Sequence, residues 1–281
     1  VANTSAGVGN LRQRKRIFTR NSGFWVIAHR GFSGRFPENT MLAFQEAAKF
    51  PIDAIELDVH ATRDGKIVVI HDPTLDRTMN KTGRIMDYSW EDLRKADAGY
   101  HFDPTQKGEF PFRGKGAGIP LLEDVFKSFP DMKFVIEIKQ TLPAIEDSVY
   151  RLIRKYRMDE KVIVASEHQE PLTRIRHLAD HIATNFSAEE ATDLYFAHKL
   201  RLSSFYCSGG DALQIPERYR KTQVVTPAFV KAAHLKGLII HIWTVNDPAD
   251  MKRLIECGVD GIISDHPDRL LAAAGRPAAT V

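Results

Sequence analysis

Ala54-Ile55-Glu56-Leu57-Asp58-Val59-His60, then Ala61-Thr62-Arg63-Asp64-Gly65-Lys66, then Ile67-Val68-Val69-Ile70-His71: two β-branched, apolar runs joined by six residues. A crossover between parallel strands takes about a dozen residues or more, whereas Asp64-Gly65 is a strong hairpin signal. The second run is therefore predicted to fold back antiparallel on the first.

Further strand patterns lie at 25–29, 133–139, 162–165, 182–186, 212–215, 238–245 and 261–264. Helical stretches between them include 40–50, 121–129, 143–156, 227–236, 248–257 and 267–274. Such alternation argues for a parallel sheet. With the run at 67–71 set aside as a hairpin arm, eight parallel strands remain. The predicted fold is α/β, a (β/α)₈ TIM barrel, and the length of 281 residues suits one. Residues 23–275 would form the barrel, 1–22 a flexible basic arm and 276–281 a C-terminal tail.

The stretch from about 67 to 118 becomes an insertion subdomain after strand 2, with turn signals such as Asp72-Pro73 and aromatics Tyr100, Phe102, Phe110 and Phe112. Loops of that length are uncommon unless functional. Leaving the carboxyl end of a barrel strand, it would overhang the face where barrel enzymes place their active sites. Phe205-Tyr206, with the insertion's aromatics, suggests an apolar mouth, the alternative being that those aromatics form the insertion's own core.

Composition excludes several classes. Thirty-nine basic against 36 acidic residues leave a net charge of +3, too little for general polyanion binding, so no nucleic-acid partner is expected. The one dense basic run, Leu11-Arg12-Gln13-Arg14-Lys15-Arg16, reads as a solvated arm, with peripheral membrane contact as the functional alternative. Two cysteines, Cys207 and Cys257, exclude a disulfide scaffold. No stretch approaches a membrane span, and residues 1–20 lack a signal-peptide core, so a cytoplasmic location is expected.

Strand alternation puts Glu56 and Asp58 on one face and Ile55, Leu57 and Val59 on the other. In a barrel the apolar face meets the helices, leaving two carboxylates inside. Two like charges there are unfavourable unless a cation, a proton or a basic side chain neutralises them. In Val135-Ile136-Glu137-Ile138-Lys139 the pattern recurs on the neighbouring strand, with Glu137 and Lys139 sharing a face. Three carboxylates on adjacent strands make an all-oxygen site suited to one divalent cation, Mg²⁺ or Ca²⁺. Lys139 either binds a substrate anion or balances charge. His29 and His71 end strands beside this cluster, where they could share general acid and base duties. Arg30 offers a forked donor for a phosphate oxygen pair. Trp243 shares a face with His241 and Val245, placed for core packing or substrate stacking. Pro37-Glu38-Asn39-Thr40 reads as a helix start capped by Asn39 or Thr40, and Leu75-Asp76-Arg77-Thr78 as turn and ion-pair structure.

The strings His29-Arg30-Gly31, Pro37-Glu38-Asn39-Thr40, Glu56-Leu57-Asp58-Val59, Thr62-Arg63-Asp64-Gly65 and Val69-Ile70-His71-Asp72 closely resemble the glycerophosphodiester phosphodiesterases. So do Leu75-Asp76-Arg77-Thr78, Ile119-Pro120-Leu121-Leu122-Glu123, Glu137-Ile138-Lys139, Trp243-Thr244-Val245-Asn246 and the run Gly258-Val259-Asp260-Gly261-Ile262-Ile263-Ser264-Asp265. The resemblance implies a divalent ion on Glu56, Asp58 and Glu137, an acid–base pair of His29 and His71, and phosphate contacts from Arg30 and Lys139. It implies hydrolysis of a glycerophosphodiester to an alcohol and glycerol phosphate. Lysophospholipid cleavage of the phospholipase D type is the alternative. A sugar-phosphate lyase or isomerase, or an inactive binding barrel, fits less well: no Schiff-base lysine is evident, and the histidines and carboxylates are intact.

Overall fold

The computed structural model describes residues 23–206 and 209–276, so the basic arm, Cys207 and the tail from 277 lie outside the described residues. The strands are β1 (Trp25–His29), β2 (Ala54–Ala61), β3 (Ile67–Val69), β4 (Lys133–Ile138), β5 (Val162–Ala165), β6 (Ala183–Thr184), β7 (Ala212–Pro216), β8 (Arg218–Tyr219), β9 (Thr222–Gln223), β10 (Ile239–Trp243) and β11 (Gly261–Ser264). The helices are α1 (Met41–Ala48), α2 (Trp90–Leu93), α3 (Leu122–Ser128), α4 (Glu146–Lys155), α5 (Gln169–Leu178), α6 (Ala188–Lys199), α7 (Pro227–Leu235), α8 (Pro248–Glu256) and α9 (Pro267–Ala273).

Eight strands pair in parallel in the order β6-β5-β4-β2-β1-β11-β10-β7. A single parallel bridge, Asn185 to Ala212, joins the two ends, giving a nearly closed TIM-like barrel. As the short connection requires, only five residues once Ala61 joins β2, β3 pairs antiparallel with β2, Val59 facing Val69 and Ala61 facing Ile67. The insertion packs around its own apolar cluster of Val68, Leu75, Met79, Ile85, Leu93 and Ile119.

Alternation sorts each strand into two environments. Ile55, Leu57 and Val59, with Phe134, Ile136 and Ile138, pack outward against the helices. Each such side chain contributes about 1.5–3 kcal/mol on burial. Inside, Trp25, Ile27, Val135, Ile163 and Ile239 interleave with the small Ala54, Ala183 and Ala212. His241 is fully buried there, stacked on Trp25 at 5.8 Å. Burial pushes its pKa down to about 4, which keeps the imidazole neutral. A Cβ on Gly261 would lie 2.9 Å from Trp25, so only glycine lets β11 pass this layer.

The seam between β6 and β7 is the weak point, since β6 is two residues long. Arg176 of α5 ties β6 to α6 beside it: Nη1 and Nη2 donate to Glu190 at 2.6 and 2.9 Å, Nη2 to the Asn185 carbonyl at 2.7 Å and Nε to Thr184 at 3.0 Å. A Cβ on Gly210 would sit 2.6 Å from the Phe186 ring, so the chain enters β7 pressed against that side chain.

Two helices and a hairpin extend the sequence pattern. Helix α5 carries Pro171 in its first turn, and α6 buries only Leu194, so neither shows a clean core stripe. The β8–β9 hairpin is mostly exposed. Helix α6 and the hairpin build the wall of the mouth.

Candidate active site

The three carboxylates converge. Glu56 and Asp58 on β2 and Glu137 on β4 each offer an oxygen within 4.8 Å of the others. Glu56 and Asp58 are buried. Burial, then the charge of Asp58, pushes the Glu56 pKa up to about 8, and burial also raises that of Glu137. Asp58 goes the other way: Arg30 and Lys139 outweigh its burial and hold it ionised. Asp58 Oδ1 accepts no hydrogen bond, although Lys139 Nζ stands 3.4 Å away. An orphaned buried oxygen beside a carboxylate that cannot easily ionise is the signature expected of a cation site. The donor set fits a hard divalent ion.

Lys139 Nζ pairs with Glu137 Oε1 at 2.7 Å. Arg30 follows β1 with a φ of 53°, in the left-handed region. Its amide donates to Glu56 Oε2 at 3.0 Å, its Nε lies 3.1 Å from Asp58 Oδ2 and its Nη1 donates to Glu38 at 2.8 Å. The fork that the sequence offers to a phosphate oxygen pair is thus partly committed to carboxylates.

Both histidines are held the same way. His29 Nδ1 bonds Asp265 at 2.6 Å, while its Nε2 lies 3.9 Å from Glu56. Burial alone would lower the His29 pKa, but the Asp265 bond and the Glu56 charge outweigh it and raise it. His71 Nδ1 bonds Asp72 at 2.6 Å, and the His71 carbonyl meets His60 Nε2 at 3.0 Å. A carboxylate on Nδ1 sets the tautomer and leaves Nε2 for chemistry.

The structure adds residues whose roles sequence reading missed. Asp265 accepts from Ser33 Oγ at 2.8 Å and Asn246 Nδ2 at 2.6 Å as well as from His29. Glu38 accepts from both Arg30 and Arg77, and Arg77 reaches Asp72, so an ion-pair chain links the two histidine arms. Asn39 is not the helix cap. Thr40 caps α1 by accepting from the Ala43 amide. Asn39, with a φ of 55°, instead donates to Asp58 Oδ2 at 2.8 Å and accepts the Asp58 amide at 3.3 Å. An asparagine before a capping threonine is the signal that could have shown this.

His29, Arg30, Glu56, His71, Glu137, Lys139 and Trp243 line one cavity of about 930 Å³. Trp243 is 43% exposed, whereas His241 on the same strand face is fully buried. The opposite wall is apolar and comes from Phe186, Ala191, Tyr195, Phe196, Tyr219 and Val224. The insertion's aromatics do not form it. Arg113 packs over Tyr100 and Phe110, and Phe112 lies against Phe36 and Phe102. Phe205 is also absent from the lining, and Tyr206 donates to the Glu190 carbonyl. Among the described residues no helix is long and apolar enough to cross a membrane.

Fold and site together define a phosphoric diester hydrolase built on a TIM-like barrel, a class that the comparisons bear out and that displaces the lyase and inactive-barrel readings. The model of the Glycerophosphoryl diester phosphodiesterase family matches residues 29–269, and the chain belongs to that family. It is 36% identical to a glycerophosphodiester phosphodiesterase of Caldanaerobacter subterraneus, over 88% of this chain and 96% of that one. It is 25% identical to the lysophospholipase D GDPD1 of Mus musculus, over 92% of this chain and 87% of that one. It superposes with a TM-score of 0.74, at 25% identity, on an Oleispira antarctica phosphodiesterase solved in complex with the product sn-glycerol-3-phosphate, covering 92% of this chain and all (100%) of that one.

Proposed function

We propose that residues 23–275 form a catalytic unit that hydrolyses small glycerophosphodiesters to an alcohol and glycerol phosphate, using one Mg²⁺ or Ca²⁺. The observation that carries this is the pair of aspartate-oriented histidines flanking a three-carboxylate cluster in one cavity. Glu56, Asp58 and Glu137 would hold the cation, which supplies charge neutralisation at the phosphoryl group. Arg30 and Lys139 add fixed positive charge to the same wall, and Trp243 borders the substrate.

Nε2 of one histidine takes the proton from the attacking oxygen, and Nε2 of the other delivers a proton to the departing alcohol. The attacking oxygen belongs either to water or to the substrate's own glycerol hydroxyl. The second route makes a cyclic phosphate before glycerol phosphate.

The apolar wall favours a second reading, cleavage of lysophospholipids, whose acyl chain would lie along Tyr195 and Phe196. Product analysis by phosphorus NMR on a panel of glycerophosphodiesters and lysophospholipids, with Mg²⁺ or Ca²⁺, tests both. Release of choline with glycerol phosphate from glycerophosphocholine supports the first. Turnover of lysophospholipids alone selects the second, and cleavage of neither overturns the proposal.

A further inference from the structure

The apolar wall of the cavity does not stop at the substrate. Phe196 and Tyr219 line it and yet are 58% and 64% exposed, so the wall spills out onto the surface at the mouth. Leu200, just beyond the end of α6, is 68% exposed. Exposed apolar residues gathered at the rim of a cavity mark a contact surface.

The rim is studded with cations. Lys199 and Arg201 flank Leu200, and Arg220 and Lys221 form the turn between β8 and β9. All four are exposed, and among the described residues none has an ion-pair partner. Lys199 Nζ rides 5.3 Å from the Tyr195 ring and the Arg220 guanidinium 5.6 Å from Tyr219. The acidic residues of α6, Glu189, Glu190 and Asp193, sit in its first two turns, at the other end of the helix, and Glu190 is paired with Arg176. Exposed aromatics interleaved with unpaired lysine and arginine suit a bilayer interface, where rings sit at headgroup level and cations meet anionic phosphates.

We propose that the α6 end and the β8–β9 turn form a docking surface for an anionic phospholipid bilayer, seating the open side of the cavity against the membrane. This surface does not depend on which diester is cleaved. It also differs from the basic run at 11–16, for which the sequence offers membrane contact only as the alternative to a solvated arm.

The test is sedimentation of the full chain with vesicles of phosphatidylcholine alone or with one third phosphatidylserine. The triple variant Leu200→Asp, Arg220→Glu, Lys221→Glu is run beside it. None of these three residues lines the cavity. The wild type is expected to bind the anionic vesicles, and more weakly as salt shortens the Debye length from about 10 Å at 0.1 M. The variant is expected to bind at least about tenfold more weakly, since each reversed cation removes an attraction and adds a repulsion. Its turnover of soluble glycerophosphocholine should match the wild type. If neither protein cleaves that diester, the reading of the active site fails while the docking result stands. Absent wild-type binding overturns the inference, as does equal binding by the variant. A concentration-dependent dimer that the variant loses, without any vesicle binding, would assign the rim to a second copy and also overturn it.

Discussion

Asp265→Asn should disable the enzyme while leaving its shape intact. Asp265 accepts three hydrogen bonds, Oδ1 from His29 and Ser33 and Oδ2 from Asn246. An amide cannot satisfy all three. If its oxygen stays toward His29, its NH₂ meets the Asn246 NH₂. Asn246 cannot simply turn over, because its Oδ1 accepts from Ser264 Oγ at 3.0 Å and from the Asp265 amide at 2.9 Å. If the oxygen turns to Asn246, the NH₂ faces His29 Nδ1 and drives the ring proton onto Nε2, the wrong tautomer for a base. Loss of one charge-assisted bond costs about 1.5–3 kcal/mol. Loss of correctly oriented acid–base chemistry costs roughly 10²–10⁴-fold. We therefore expect kcat to fall about 10²–10³-fold with KM little changed.

The pH profile gives a second readout. Asp265 and Glu56 raise the His29 pKa against its burial, so removing the Asp265 charge lowers it. The limb that His29 controls must then move to lower pH. Movement of the acidic limb identifies His29 as the base, and movement of the basic limb identifies it as the acid. The assay is kcat against pH at saturating cation, with melting temperature as a control. An unchanged kcat and profile, or a loss of activity that only tracks unfolding, would refute the orienting role.

Chelation should abolish turnover and Mg²⁺ or Ca²⁺ should restore it, while Glu56→Gln with Asp58→Asn should abolish cation binding seen by calorimetry; full activity in chelator would sink the assignment. Because Glu56 stands at about 8 without a cation, binding at pH 7 should release about one proton, measurable in buffers of different ionisation enthalpy. His29→Ala and His71→Ala should each lower kcat by roughly 10²–10⁴-fold, and the double variant by far less than the product. A nitrophenol leaving group should rescue whichever single variant lacks the acid. Arg176→Met should cost about 2 kcal/mol in urea unfolding at pH 7, by losing the ties from α5 to β6 and α6. Burial raises the Glu190 pKa, but Arg176 outweighs it and depresses the folded value. The pair's contribution is therefore present above the unfolded carboxylate pKa and lost as pH falls through the folded one. The variant should match the wild type more closely at pH 3 than at pH 7.

Some of this molecule was decided by distances along the chain. Six residues between Ala61 and Lys66 cannot carry a crossover, so β3 had to turn back, and the count of eight parallel strands followed from that one connection. Period-two alternation placed Glu56, Asp58 and Glu137 inside the barrel without reference to any other element, because a strand's side chains alternate wherever it lies. Arg77, read as ion-pair structure, does pair, with Glu38 and Asp72. Other features required the folded neighbours. Asn39 and Asp58 are 19 residues apart and meet only once β1 and β2 are side by side. The His29–Asp265 bond spans 236 residues and exists because the barrel's closing order puts β11 beside β1. Helix α6 offered no core stripe to read, since only Leu194 is buried in the core while Ala188, Ala191, Tyr195 and Phe196 line an open cavity. Local spacing and alternation, which short stretches carry whole, were determined by the sequence itself. Which distant carboxylate orients each histidine, and which wall the substrate meets, were decided by ring closure, since only it brings those residues within hydrogen-bond or van der Waals reach.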